Sequence, residues 1–135
     1  MSSGYSKRTL PQKLGIKDGF KIAFVNAPPD YAKKLGKLPR SVIIGSATEG
    51  DFDLIHFFAR SRYLLKSEFP QLMEKISRKG MLWISWPKKA SGEKTDLNDN
   101  VVRQIGLDCG MVDIKVAAID ETWSGLKFVF RKSSP

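Results

Sequence analysis

Apolar residues fall along the chain in short continuous runs separated by stretches of helical spacing. The run Lys21–Asn26 (KIAFVN) carries strand formers and lies between the turn Lys17-Asp18-Gly19 and the pair Pro28-Pro29, which predicts a buried first strand. Val42–Gly45 predicts a second strand, Phe52–Phe58 (FDLIHFF) a third, Met81–Trp86 (MLWISW) a fourth, Val112–Ile119 a fifth and Leu126–Arg131 a sixth. Thr9-Leu10-Pro11 opens a short helix that Gly15 ends, and Pro29 starts another that runs to Gly36 with Tyr31 and Leu35 on one face. Ser61 caps a helical stretch to Ser77 in which Leu65, Phe69, Leu72 and Ile76 form a core-facing stripe. Pro70 within it predicts a kink or two abutting segments, and Gly80 its close. Thr95 or Asp96 caps the last helix, with Leu97, Val101, Ile105 and Cys109 inward and Gly110 as terminator.

Connection lengths turn this inventory into a topology. The segment SATEGD between the second and third strands is too short for a parallel crossover of about a dozen residues. These strands are therefore antiparallel partners or lie on opposite sides of the first strand, and the second arrangement is the one expected. DETWSG, before the last strand, permits an antiparallel hairpin with a wide loop. The expected fold is α/β: a three-layer Rossmann-like sandwich around a mostly parallel six-stranded sheet in the order 2-1-3-4-6-5, with a C-terminal antiparallel hairpin. Residues 1–8 read as a flexible tail and residues 9–135 as one domain.

Composition narrows the setting. With 41% hydrophobic and 27% charged residues the chain is an ordinary globular sequence, and no apolar run approaches the roughly 18 residues of a membrane span. Lys7 and Arg8 are followed by no apolar stretch, so a secretory signal is not expected, and the single Cys109 fits a reducing cytoplasm. One His and one Cys give no ligand cluster, so no metal is expected. Of the net charge of +9, most sits at the front: residues 1–40 hold nine of the 23 basic side chains against only Asp18 and Asp30. Lys7, Arg8, Lys13, Lys33, Lys34 and Arg40 thus suggest phosphate tracking on nucleic acid, or a solvated surface; no aromatic-interleaved RNA motif or DNA-reading helix accompanies them.

In an open α/β sheet, ligands bind beyond the carboxyl ends of the parallel strands, next to the point where strand order reverses. The segments leaving those ends offer Arg60, Ser61, Lys88, Lys89, Ser91, Gly92, Asp120, Glu121 and Trp123 as ligand-binding candidates. Lys88-Lys89-Ala90-Ser91-Gly92 reads as an anion-holding loop before a helix N-terminus, or as two solvated lysines in a surface loop that is not a P-loop. Trp123 either stacks on a ligand or folds back over the sheet end. A cleft is expected between the two loops, their tips about 10 Å apart, unless Lys88 or Lys89 simply bridges to Asp120 or Glu121. His56 reads as a core histidine hydrogen-bonded to backbone before it reads as a catalytic base, and Cys109 as inert packing.

Two resemblances emerge from these residues. KDGFKIAFV, FDLIHFF, a helix ending in GMLWISWPK and the final hairpin resemble a shortened class I S-adenosylmethionine-dependent methyltransferase. GYS, QKLGIKDG, NAPPDY, SWPKKASG, TDLNDNVVR and DETWSGLKFV look like a family of small bacterial proteins that implies a fold but no activity. In the methyltransferases the first strand leads into a glycine-rich loop that approaches the amino-acid part of the cofactor. Here Asn26-Ala27-Pro28-Pro29 takes that place, and two prolines remove backbone donors and fix φ. Glu49, after the second strand, is the nearest match to the acidic ribose ligand. The sequence therefore favours a non-catalytic binding or regulatory module without a cofactor, holding a small anion, a nucleotide or an acidic protein partner at the rim. A divergent methyltransferase and a nucleic-acid-associated protein are the alternatives.

Overall fold

A capping box opens the first helix: Thr9 Oγ1 accepts from the Gln12 amide, and Gln12 Oε1 accepts from the Thr9 amide. Gly15 closes that helix at φ 86°, in the left-handed region that a side chain disfavours. The computed structural model describes residues 8–46 and 48–132, so the tail expected over residues 1–8 lies outside it except for Arg8. The helices are α1 (Leu10–Leu14), α2 (Tyr31–Leu35), α3 (Arg62–Glu74) and α4 (Asp99–Cys109). The strands are β1 (Lys21–Val25), β2 (Ile43–Ile44), β3 (Phe52–Phe58), β4 (Ile76–Pro87), β5 (Met111–Ala118) and β6 (Trp123–Phe130).

The strands form one sheet in the expected order, β2-β1-β3-β4-β6-β5. Neighbours from β2 to β4 are parallel, and β6 runs antiparallel to both β4 and β5. One face packs Phe52, Ile55 and Phe57 against Leu65, Phe69 and Leu72 of α3 and Val102 and Ile105 of α4. The other packs Ile22, Leu54, Phe58, Trp83 and Trp123 against Leu14 of α1 and Tyr31 and Leu35 of α2. Trp83 ties the first helix to the sheet by donating Nε1–H to the Leu14 carbonyl at 2.8 Å. Among the described residues, no helix is long and apolar enough to cross a membrane.

Several boundaries depart from the expectations. The second strand is Ile43–Ile44 rather than Val42–Gly45, held only by the start of β1. The helix begun at Ser61 ends at Glu74, not Ser77, and Pro70 lies inside one uninterrupted helix. Proline lacks one amide and crowds one carbonyl, which the burial of Leu65, Phe69 and Leu72 on both sides offsets. The fourth strand begins at Ile76 rather than Met81, so Gly80 belongs to a strand and does not close a helix. Pairing jumps from Phe52↔Ile76 to Leu54↔Met81, so Ser77–Gly80 bulge out of register. A Cβ at Gly80 would meet the Ile76 side chain and come within 2.8 Å of the Phe52 carbonyl oxygen. Asn98, not Thr95 or Asp96, caps α4, its side chain accepting from the Val101 amide at 2.9 Å. The fifth strand starts one residue early, at Met111, and the sixth three residues early, at Trp123. The wide loop is therefore a tight turn, closed by Asp120 Oδ1 accepting from the Thr122 and Trp123 amides, each at 2.8 Å.

Candidate functional site

The parallel strands deliver the segments after β1, β3, β4 and β5 to one rim. At its centre, β1 and β3 are parallel neighbours while β2 lies on the far side of β1, so the crevice of an open α/β sheet belongs beside the tops of β1 and β3. Asn26 leaves β1 at φ 59°, and Pro28 and Pro29 turn the chain at once into α2. Tyr31, on the first turn of α2, is buried with its ring edge-on to Phe24 of β1 and Phe58 of β3, the centroids 5.0 Å away in each case.

Beneath it runs a buried polar chain. Tyr31 Oη lies 2.7 Å from His56 Nδ1, and His56 Nε2 lies 2.7 Å from Ser85 Oγ on β4. The sequence expectation of a backbone partner for His56 is corrected: both ring nitrogens are met by side-chain hydroxyls, because the helix after β1 lays a tyrosine over the strand. Burial pushes the imidazole pKa down to about 3, against a weaker upward pull from Asp120, and pushes the Tyr31 phenol up. His56 and Ser85 are fully buried, and this chain of hydroxyls and imidazole ties α2 to β3 and β4.

One turn along α2, Lys34 extends the closure across the rim. Its Nζ reaches Asp120 Oδ2 at 3.0 Å, Glu121 Oε1 at 2.7 Å and Asp30 Oδ2 at 3.3 Å. Burial pushes the Asp120 carboxyl up, but hydrogen bonds from Lys34 and from the Trp123 and Thr122 amides outweigh it and hold the group below its usual range. The bridge considered for Lys88 or Lys89 is thus made by Lys34 instead. Lys88 meets the opposite loop through backbone, its amide donating to the Thr122 carbonyl at 2.7 Å, so the two loops touch where a gap of about 10 Å was expected.

The remaining candidates sort into a framework and a cleft. Arg60 lies over the Trp123 ring, 4.9 Å from its centroid, and bonds Glu93 through Nε at 2.9 Å. Trp123 itself is buried edge-on against Phe58, which is the sheet-covering alternative. Ser61 caps α3 by accepting from the Leu64 amide. Ser91 donates to the Lys88 carbonyl and accepts from the Glu93 amide, and Gly92 turns at φ 76°. The helix expected directly after this loop begins only at Asp99, so Gly92 presents no helix N-terminus. Lys89 is exposed and lines a cleft of about 330 Å³ with Trp86, Pro87, Thr95, Leu97 and Asn98. A second hollow, about 280 Å³, lies between α3 and α4, where Arg62 is engaged with Asp96 and Gln104 with Asp108. Tyr31, Glu93 and the cleft walls Trp86, Thr95, Leu97 and Asn98 are not among the sequence candidates, and Lys34 is there only as one of the basic residues suggesting phosphate tracking. Glu49 lies on Lys21 at the amino end of β1, 3.6 Å from its Nζ.

No family model matches the chain and no curated protein matches it in sequence, which leaves the likeness to the small bacterial family resting on its motifs. Solved structures do match. A protein from Sulfolobus solfataricus assigned to the type 11 methyltransferases superposes with TM-score 0.65 at 15% identity over 93% of this chain and 92% of that one. The fold is that of a class I methyltransferase. A TehB-like S-adenosylmethionine-dependent methyltransferase from Corynebacterium glutamicum gives 0.56 at 13% identity, over 90% of this chain and 85% of that one. Magnesium protoporphyrin IX methyltransferase from Synechocystis, solved with S-adenosylhomocysteine bound, gives 0.55 at 10% identity, over 90% and 78%. At these identities the likeness is one of fold. The cofactor of that fold does not fit the residues here. Asn26-Ala27-Pro28-Pro29 offers no glycine for close approach, and Tyr31 packs against the carboxyl ends of β1 and β3 where the crevice belongs.

Proposed function

We propose that the chain is a binding module on a methyltransferase fold, in which the cofactor crevice is closed and ligand recognition has passed to the cleft beside β4. The observation that carries this reading is Tyr31, buried between Phe24, His56 and Phe58 and hydrogen-bonded to a buried imidazole. Opening that crevice would expose the aromatic cluster and break the Lys34 ion cluster, so closure is the stable state of this sequence. The cleft of Trp86, Pro87, Lys89, Thr95, Leu97 and Asn98 supplies an apolar floor, one cation and hydroxyl and amide groups at its edge. Its volume, near the low end of small-molecule sites, suits a ligand with a flat or apolar body and one anionic group, such as a nucleotide fragment or an acidic side chain of a partner.

A thermal-shift panel of nucleotides, metabolite anions and S-adenosylmethionine tests this, because a ligand that binds only the native state raises its melting temperature. The expected result is stabilisation by anions with an apolar body, lost in Lys89→Ala while the ligand-free melting temperature stays unchanged. Stabilisation by S-adenosylmethionine alone would favour the divergent methyltransferase, for which the shared fold is the support.

A further inference from the structure

We propose that Lys13, Lys17, Lys115 and Lys127, gathered where α1 meets the β5–β6 hairpin, form a docking surface for the phosphate backbone of a nucleic acid. The lysines come from three places in the sequence and the fold brings them together. Lys115 and Lys127 stand directly opposite each other in the antiparallel ladder, a like-charge pairing that opposes folding. Lys115 Nζ reaches the Lys13 carbonyl at 3.2 Å, and a Cβ at Gly15, the end of α1, would lie 3.5 Å from Lys127 Nζ. Burial and the neighbouring charges of Lys115 and Lys17 push the Lys127 ammonium pKa down, as in a cluster lacking anions.

The surrounding carboxylates are engaged elsewhere: Asp18 with the Arg40 amide and Asp113 with Arg103. Among the described residues none of the four lysines is in an ion pair. Lysine is a hydrated point charge on a flexible stem, without the fork of arginine that grips a single anion. Four of them spread over a helix end and the β5–β6 hairpin suit a line of phosphates. With no exposed aromatic ring among these residues for base stacking, binding follows charge rather than sequence. This surface shares no residue with the rim cleft, so its fate is independent of that reading.

Fluorescence anisotropy of labelled single-stranded and duplex oligonucleotides of mixed sequence tests it. With about three phosphates neutralised, affinity should fall roughly 40-fold for duplex and roughly 20-fold for single strands between about 50 and 200 mM salt. Lys17→Gln/Lys127→Gln should weaken binding and flatten that dependence, with melting temperature unchanged or raised as repulsion is relieved. Lys66→Gln/Lys94→Gln removes the same charge outside the cluster and should bind as the parent does. Equal loss in both double variants, no binding at low salt, or equal affinity for polyglutamate of matched length would each overturn the proposal.

Discussion

Replacing Tyr31 by phenylalanine isolates the hydroxyl that locks α2 over the sheet. The ring keeps its edge contacts with Phe24, His56 and Phe58, so packing is conserved, while His56 Nδ1 loses a partner at 2.7 Å in a site closed to water. An unsatisfied buried polar atom costs about 1–3 kcal/mol. For a chain of this length that lowers the thermal midpoint by roughly 3–9 °C. Urea unfolding followed by tryptophan fluorescence should show a lower midpoint with an unchanged slope, since the surface exposed on unfolding is the same. Ser85→Ala, at the other nitrogen, should cost less in the Tyr31→Phe background than alone, because one network is broken only once. Stability within about 0.3 kcal/mol of the parent for Tyr31→Phe would refute the idea that this hydrogen bond holds the closure.

Three further outcomes follow from titrating and packed groups. His56 is held neutral with a folded pKa of about 3, whereas in the unfolded chain it titrates near ~6.5, so only the unfolded state binds the proton between those values. Stability should be full well above pH ~6.5 and fall as pH drops through it, the slope approaching about 1.4 kcal/mol per pH unit near pH ~5.5; His56→Gln should flatten that slope in chemical denaturation between pH ~6.5 and ~5. Further acidification should protonate Asp120 and Glu121, whose folded pKa values are lowered, and remove their contribution as pH drops through the carboxylate range. Gly106→Ala drives a methyl group into the buried Phe128 ring, and overpacking should exceed the gain in helix propensity by on the order of 1–2 kcal/mol in calorimetric melting.

The strand order matches the expected one, but the length of SATEGD had left antiparallel pairing of β2 and β3 open. Both prove parallel to β1, so this short segment itself crosses from one side of β1 to the other, which a two-residue β2 paired with the start of β1 allows. The central strands were legible because burial on both faces leaves continuous apolar runs. The lower half of β4 was hidden because Ser77-Arg78-Lys79-Gly80 bulges and carries no apolar period. Thr95, Asp96 and Asn98 are all cap residue types, and only tertiary placement selects Asn98, since Thr95 is turned to the Arg60 carbonyl and Asp96 to the Arg62 amide.

That the segments after β1, β3, β4 and β5 share one end of the sheet was legible from strand direction, but the contacts among them were not. Where Tyr31 and Lys34 reach depends on how a five-residue helix lies on the sheet, which local pattern does not encode. The double proline after β1 was the visible signal. It argues against a glycine-type loop there, and Tyr31, which packs on Phe24 and Phe58, follows within two residues of it. The lysine pair of β5 and β6 was invisible for a related reason, because a ladder register is needed to set Lys115 against Lys127.

The claim that this methyltransferase fold has a closed cofactor crevice is tested most directly by isothermal titration of the purified chain with S-adenosylmethionine and with S-adenosylhomocysteine. The prolines after β1 and the buried Tyr31 predict no saturable heat up to millimolar ligand. Stoichiometric binding of either compound with micromolar affinity would contradict the account.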